Sequence, residues 1–302
     1  MMTAKEINKH SHVFMRFPEG KHKAATFSFD DGGVEDMWLV DLLKSHGMKG
    51  TFNLNSGWIP ETEDFDFSIL PEDIHVYKNW CHRMTEEQIR RTFPGSGMEL
   101  ATHGAVHAML DCLDDDAMIY EVMRDRMLLE DIMGESVRGH AYAQGSYNSR
   151  VTEVLPKAGI VYARTCWFHD DFRVPENFME WGPTCSYNNK AVIDRFVDME
   201  EGSRCIWFED IRPKLIYIFA HSYELSLNKD FDVMERNVER LASAKDDIWF
   251  CTNMEYYRYA MAYKNLDYTL ERDRVYNPSA IPVWIFVNGK VVEIGAGDTV
   301  LI

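Results

Sequence analysis

Two neighbouring carboxylates, Asp30 and Asp31, are the first residues in the chain whose types and spacing suggest chemistry. They follow an alternating apolar run in "AATFSFDDGG", and Gly32-Gly33 ends that run, so the pattern predicts a strand with both acids at its carboxyl end. Adjacent carboxylates repel each other, and a fold that brings them together usually gives them a proton or a cation to share. A solvated turn is the plain alternative, because Asp-Asp also occurs elsewhere in the chain.

A second candidate is the histidine pair His103 and His107, which follows the alternating run "MELAT". On a helical turn, residues four apart have Cβ atoms about 5–6 Å apart, so both imidazoles could reach one ion. The spacing alone is weak evidence, because the chain has 11 histidines and such a pair also arises from composition. Two imidazoles and one carboxylate around a divalent metal are nevertheless a common hydrolytic arrangement, with positions left for water and substrate.

The elements that must position these residues alternate between strand-like and helix-like patterns, which predicts an α/β fold with a parallel sheet. In a closed α/β barrel the carboxyl ends of the strands converge on one face, where active sites lie. Seven residues of chemical interest occupy such predicted ends: Asp30, Asp31, His103, Tyr142, Gln144, Arg164 and His221. We therefore expect them to share one face of the barrel.

The end of the chain has a different character. Asn288-Gly289 lies between two apolar, β-branched runs, which is a strong hairpin signal. We predict a catalytic barrel over residues 1–271 and a β-hairpin appendage over residues 272–302, through which copies of the chain could associate. Residues 58–80 are acidic and aromatic and interrupt the rhythm, as a surface insertion would.

The composition of the chain limits the classes of molecule that it could bind. The 302 residues carry a formal net charge of −17, which disfavours nucleic acid and anionic membranes and favours a small-molecule or neutral carbohydrate substrate. Six cysteines without a Cys-x-x-Cys spacing argue against a zinc ribbon or a disulfide framework. We see neither a membrane-spanning run nor the apolar stretch of a signal peptide, so we predict a cytoplasmic location.

Four segments resemble a known family when they are taken together. "TFSFDDGG", "THGAVH" with its preceding "GMEL", "AYAQGSYN" and "IYIFAH" are similar in order and approximate spacing to the motifs of the NodB-homology polysaccharide deacetylases, carbohydrate esterase family 4. The resemblance covers residues 22–260. It implies a distorted (β/α) barrel and a divalent-metal deacetylase.

The resemblance also implies a role for individual residues. Asp30 would be the general base and His221 the general acid, while Asp31, His103 and His107 would bind the metal. Zinc is the first expectation for that ion, with cobalt, nickel and iron as alternatives. The backbone N–H of Gln144 is our candidate for stabilising the oxyanion of the reaction.

The third motif departs from the family pattern. Alignment on Gly145 puts Ala141 where many members have an arginine that orients the base. Arg164 is positioned to replace it, and a surface ion pair is the alternative explanation for that residue. We expect Tyr142 and Trp167 to contact the acetyl group or a sugar face.

Three functions are compatible with these residues. The first is the removal of an acetyl group from an N-acetylated or O-acetylated sugar. The second keeps the same site but hydrolyses a non-sugar amide or cyclic amide, which the altered third motif and the predicted location favour. The third is a carbohydrate-binding protein without catalysis, which would need neither Asp30 nor His221.

Overall fold

The computed structural model describes residues 12–62, 82–201 and 211–302. Its strands are β1 Val13–Arg16, β2 Lys23–Asp30, β3 Thr51–Leu54, β4 Glu99–Thr102, β5 Gly139–Ala141, β6 Tyr162–Arg164, β7 Cys185–Ser186, β8 Lys214–His221, β9 Ile248–Phe250, β10 Asp267–Tyr268, β11 Arg274–Tyr276, β12 Val283–Val287, β13 Lys290–Ile294 and β14 Thr299–Leu301. Its α-helices are α1 Asp36–Ser45, α2 Glu86–Thr92, α3 Asp115–Met133, α4 Ser149–Val154, α5 Lys190–Asp198, α6 Tyr223–Asn228, α7 Phe231–Ala242 and α8 Asn253–Lys264.

A parallel sheet forms the centre of the molecule, in the order β6-β5-β4-β3-β2-β8-β7, and β9 also pairs with β2. All eight residues of β2 are buried. Burial on both faces is typical of a parallel strand covered by helices, and it explains why "KAATFSFD" contains few exposed polar side chains. The predicted α/β class and parallel sheet are therefore confirmed.

Local signals fix the ends of the helices that stand behind the site. The long helix α3 begins after Asp114, whose side chain accepts a hydrogen bond from the N–H of Ala117, and it ends at Gly134 in the left-handed conformation. In α2, Thr85 and Gln88 form a capping box. These caps set the register at which α3 presents its inward side chains to β4.

The end of the chain forms two small antiparallel sheets, β1-β12-β13 and β10-β11-β14. The predicted hairpin at Asn288-Gly289 is confirmed, and both residues have the positive φ that its turn requires. The structure adds an N-terminal strand to this unit, because β1 pairs with β12. The hydroxyl of Tyr259 on α8 donates to the carbonyl of Arg16 and accepts the N–H of Trp284, which ties both strands to the barrel.

Part of the predicted insertion at residues 58–80 lies outside the described residues, which resume at residue 82. The boundary at residue 272 stays a prediction. Within the three described ranges, no helix has the length and apolar character needed to cross a bilayer.

Candidate active site

Strand register brings the predicted base and acid together. Asp30, the last residue of β2, lies opposite Asn53 on β3 and opposite His221 on β8. Parallel strands that end together present their last side chains at the same edge of the sheet. Asp30 and His221, which are far apart in the sequence, are thus cross-strand neighbours.

Asp31, His103 and His107 form a compact group beside this pair. The Oδ1 atom of Asp31 lies 3.7 Å from Nε2 of His103 and 3.7 Å from Nε2 of His107. The candidate ligand atoms of all three side chains lie within 4.8 Å of one another. Asp31 and His103 are buried, whereas His107 is partly exposed.

The histidine pair does not lie on a helical turn, contrary to the geometry that its spacing suggested. His103 follows β4 directly, and the chain then turns so that His107 adopts a left-handed backbone with φ of 56°. Asp31 and Gln144 also have positive φ, at 78° and 55°. Such conformations cost on the order of 1–3 kcal/mol in residues other than glycine, and they persist only where surrounding contacts enforce them.

Two carboxylates of α3, one turn apart, provide such contacts. Asp125 accepts hydrogen bonds from the N–H groups of Ser56 (2.7 Å) and His103 (3.0 Å). Glu121 accepts one from the N–H of Val106 at 2.7 Å. A Cβ atom on Gly104, which has φ of +79°, would lie 3.1 Å from Oε1 of Glu121, so the loop approaches this carboxylate closely. The helix thereby holds the backbone between the two histidines.

The imidazoles are prepared to act as ligands. His103 donates through Nδ1 to the carbonyl of Ala141 at 2.8 Å, which orients the ring with Nε2 towards Asp31. Burial, helped by the charge of His103, lowers the pKa of His107 to about 4, so its ring is neutral at pH 7. Two imidazoles and one carboxylate suit a divalent ion such as zinc, and the residues present therefore fit the implied metal.

Asp30 is held by two partners. Its Oδ1 accepts a hydrogen bond from Asn53 at 2.8 Å, and its Oδ2 forms a buried ion pair with the guanidinium of Arg164. Burial raises the pKa of Asp30, but the charges of Arg164, His103 and His221 outweigh it and lower the pKa to about 2. This carboxyl group is therefore ionised at every physiological pH.

Arg164 reaches Asp30 because the sheet curls. Its strand, β6, is four places from β2 in the sheet, yet the two side chains meet. Arg164 lies opposite Ala141 in the register of β5 and β6. The guanidinium thus comes from the strand next to the position where the family pattern has an arginine, and it stacks on the ring of Phe219 at 3.8 Å.

His221 has a more open environment. Its Nδ1 donates to Oε1 of Glu224 at 2.9 Å, its Nε2 lies 3.9 Å from Oδ2 of Asp31, and 26% of its side chain is exposed. Burial lowers the pKa of His221, but the hydrogen bond to Glu224 and the negative charges of Asp30 and Asp31 raise it to a net value above the ordinary 6.5.

The three residues expected to contact substrate differ in solvent exposure. Tyr142 is only 1% exposed and donates a hydrogen bond from its hydroxyl to the carbonyl of Met179, so it packs in the core beside the site, and its contact with substrate stays a prediction. Trp167 is 67% exposed, and Gln144 is exposed in the turn after β5. Both are accessible to a ligand, and their contact with substrate stays a prediction.

Sequence reasoning missed four residues around the site: Arg83, Glu121, Asp125 and Glu224. The i, i+4 spacing of Glu121 and Asp125 on α3 and the i, i+3 spacing of His221 and Glu224 were visible signals. Arg83 had none, because it follows the insertion and pairs with Gly33 through an isolated bridge. Its guanidinium lies beside Asp31.

The fold and the site together define a parallel α/β barrel with a carboxylate–imidazole centre at the carboxyl ends of its strands. The family model described as polysaccharide deacetylase matches residues 9–163, just over half of the chain. The chain belongs to this family, as the motifs predicted.

The chain is also similar to several solved structures. The chain is 16% identical to a protein assigned as a polysaccharide deacetylase from Mycobacterium smegmatis, with a TM-score of 0.54 over 86% of this chain and 97% of that one. It is 18% identical to the Streptococcus pyogenes deacetylase PplD in complex with acetate, with a TM-score of 0.38 over 47% of this chain and 55% of that one. A carbohydrate esterase family 4 pseudoenzyme from Bacillus anthracis is 13% identical, with a TM-score of 0.48 over 81% of this chain and 68% of that one.

The match to the Mycobacterium smegmatis protein confirms the predicted (β/α) barrel of the NodB-homology type. The chain spans about half the length of the Streptococcus pyogenes relative. A search of curated proteins found no match.

Proposed function

We propose that this protein is a metal-dependent hydrolase that removes an acetyl group from an N-acetylated or O-acetylated sugar. The observation that carries the proposal is the grouping of Asp31, His103 and His107 with a paired carboxylate, Asp30, and a carboxylate-linked imidazole, His221. Membership of the polysaccharide deacetylase family supports the substrate class.

In this proposal Asp31, His103 and His107 hold one divalent ion, with zinc as the first candidate. Such an ion supplies Lewis acidity, which polarises an acyl carbonyl and lowers the pKa of water towards ~7. The neutral state of His107 and the hydrogen bond that fixes His103 support this assignment.

Asp30 would accept a proton from the attacking water. Arg164 and Asn53 keep this carboxylate ionised and oriented. Proton transfer from ordinary water to a group with a pKa of about 2 is strongly uphill, so Asp30 would act as a base only towards water whose own pKa has been lowered.

His221 would donate a proton to the leaving amine or alcohol. Its raised pKa increases the imidazolium fraction near neutral pH, and the hydrogen bond to Glu224 fixes the ring with Nε2 directed into the site. Two titratable groups with pKa values moved in opposite directions are what acid–base catalysis requires of a base and an acid. In this proposal Gln144 donates its N–H to the oxyanion, and Trp167 contacts the sugar.

A non-sugar amide or cyclic amide remains the second candidate substrate, because Arg164 reaches the base from β6 instead of from the third motif. A binding protein without catalysis is disfavoured by the buried Arg164–Asp30 ion pair, which binding alone would not need.

The test is acetate release from a panel of N-acetylated and O-acetylated sugars, with a cyclic amide assayed in parallel. We expect acetate release that a chelator abolishes and zinc restores, and that Asp30→Asn removes without loss of bound metal. Hydrolysis of the cyclic amide, without acetate release from any sugar, would contradict the sugar substrate and favour the cyclic amide. Zinc binding without hydrolysis of any substrate would contradict catalysis.

A further inference from the structure

Asp31 faces a second charged group besides the two imidazoles. Arg83 is 5% exposed, and its Nη1 donates to the backbone carbonyl of Asp31 at 2.5 Å and to Oδ1 of Asn55 at 2.9 Å. Its Nη2 lies 3.5 Å from Oδ1 of Asp31. This is the same oxygen that lies 3.7 Å from Nε2 of both His103 and His107. The guanidinium therefore lies against the oxygen that faces both candidate metal ligands.

The position of Arg83 is fixed by its surroundings. Its backbone pairs with Gly33, and its guanidinium lies 5.0 Å from the centre of the Trp58 ring. Asn55, which accepts from Arg83, donates to the carbonyls of His103 (2.9 Å) and Gly104 (2.7 Å). One hydrogen-bonded chain thus connects the loop of Asp31 to the start of the histidine loop.

Each of the two carboxylates at the site has an arginine of opposite charge beside it. Arg164 neutralises Asp30, and Arg83 neutralises Asp31. A divalent ion would therefore enter a site with no net attraction from these pairs, and would lie within a few ångströms of a fixed positive charge.

We propose that Arg83 is a positioning residue that holds Asp31 ready as a ligand while its charge lowers the affinity of the site for divalent cations. The inference rests on the metal site of the proposed function. Two effects of Arg83 can be separated: its hydrogen bonds orient Asp31, and its charge repels the ion. Repulsion between charges a few ångströms apart in a partly buried site is large, so we expect the charge to dominate the affinity.

The experiment measures zinc affinity by calorimetry, with a competing chelator where binding is tight, on the metal-free full chain. Arg83→Gln keeps an amide donor but removes the charge, and we expect it to bind zinc about ten-fold more tightly or better. Arg83→Lys keeps the charge and should bind zinc within a few-fold of the wild type. Arg236→Met, which removes an exposed arginine paired with Asp232, is the control and should leave the affinity unchanged.

Each outcome decides the inference. Unchanged or weaker zinc binding by a folded Arg83→Gln variant would overturn the repulsive role, and Arg83→Met replaces that variant if Arg83→Gln does not fold. Equal tightening by Arg83→Gln and Arg83→Lys would also overturn it, since the charge would then be irrelevant. If the wild type binds zinc and Arg83→Gln binds it with the same affinity, this inference fails but the proposed metal site stands. If the wild type binds no zinc, the metal site of the proposed function fails with it.

Discussion

The two halves of the site differ in burial and in the hydrogen bonds that hold their side chains. The half that contains His103 and His107 is held from behind by Asp125 and Glu121 of α3, and the His103 ring is fixed by the carbonyl of Ala141. The half that contains His221 is more exposed, and its ring is oriented by Glu224 one helical turn further along. In the proposed function a metal ligand must keep its distance and angle, whereas an acid needs a suitable pKa, and the difference in buried hydrogen bonds between the two halves suits those proposed roles.

The largest effect should come from substituting a proposed metal ligand in the half of the site that contains His103 and His107. We expect His103→Gln to lose zinc binding, and with it several kcal/mol of transition-state stabilisation, or about 10³-fold in kcat/KM. Metal content after dialysis and acetate release measure the two losses. His140→Gln is the matched control for a buried histidine, since His140 hydrogen-bonds Thr102 and is not among the candidate ligands. Full activity in His103→Gln would remove the metal from the mechanism.

Removing Arg164 should change the pKa of Asp30, the proposed base, which lies between the two halves of the site. In Arg164→Met, Asp30 stays buried without its cation, so its pKa rises from about 2 and the ionised base is lost as the pH falls through the new, higher pKa. We expect kcat/KM at neutral pH to fall by about 10²-fold, with the acid limb of the pH profile moved to higher pH.

The affinity for zinc should change less in Arg164→Met than in Arg83→Gln, because Arg164 contacts Asp30 and not a proposed ligand. Arg164→Lys, which retains the charge, should recover part of the activity. Unchanged turnover in Arg164→Met would reject the orienting role.

In the half of the site that contains His221, a substitution should change the pH dependence of the reaction. Glu224 raises the pKa of His221, so Glu224→Gln should lower that pKa, and the imidazolium form should be lost at lower pH. We expect the alkaline limb of kcat/KM against pH to move towards acid, while zinc affinity stays unchanged. An alkaline limb at the wild-type position would show that Glu224 does not tune the acid.

The smallest effect should come from the support behind the ligands. Glu121→Gln keeps a side-chain oxygen near Val106 but weakens a charge-assisted hydrogen bond, and we expect zinc affinity to fall by about ten-fold. Asp131→Asn lies on the same helix and breaks only an exposed pair with Arg90, so it should leave the affinity unchanged. Equal affinities in the two variants would mean that the histidine loop holds its shape without Glu121.

The local sequence pattern was sufficient to predict which edge of the sheet holds the candidate site residues. A strand period of two followed by glycine placed Asp30 and Asp31 at an edge, and the alternation of strands and helices placed His103 and His221 at the same edge. These predictions succeed because parallel strands share a direction, so sequence order alone determines which ends meet.

Predictions that depended on packing were less successful. The i, i+4 spacing suggested a helical turn for His103 and His107, but contacts from α3 enforce a left-handed residue instead. Tyr142 was expected at the surface of the site, yet its burial depends on distant residues such as Met179 that no local period reveals. Arg83 meets Asp31 only after the chain has returned from the insertion.

The pairing of β1 with β12 has a consequence for how the molecule is made. Val13 cannot pair with Val287 until the chain has been synthesised as far as Val287, so β1 is expected to be incorporated after the strands of the parallel sheet, which lie between them in the sequence. Until then its apolar side chains and those of Tyr259 and its neighbours stay uncovered. We therefore expect the pairing of β1 with β12 to be a late step of folding, after the parallel sheet has formed.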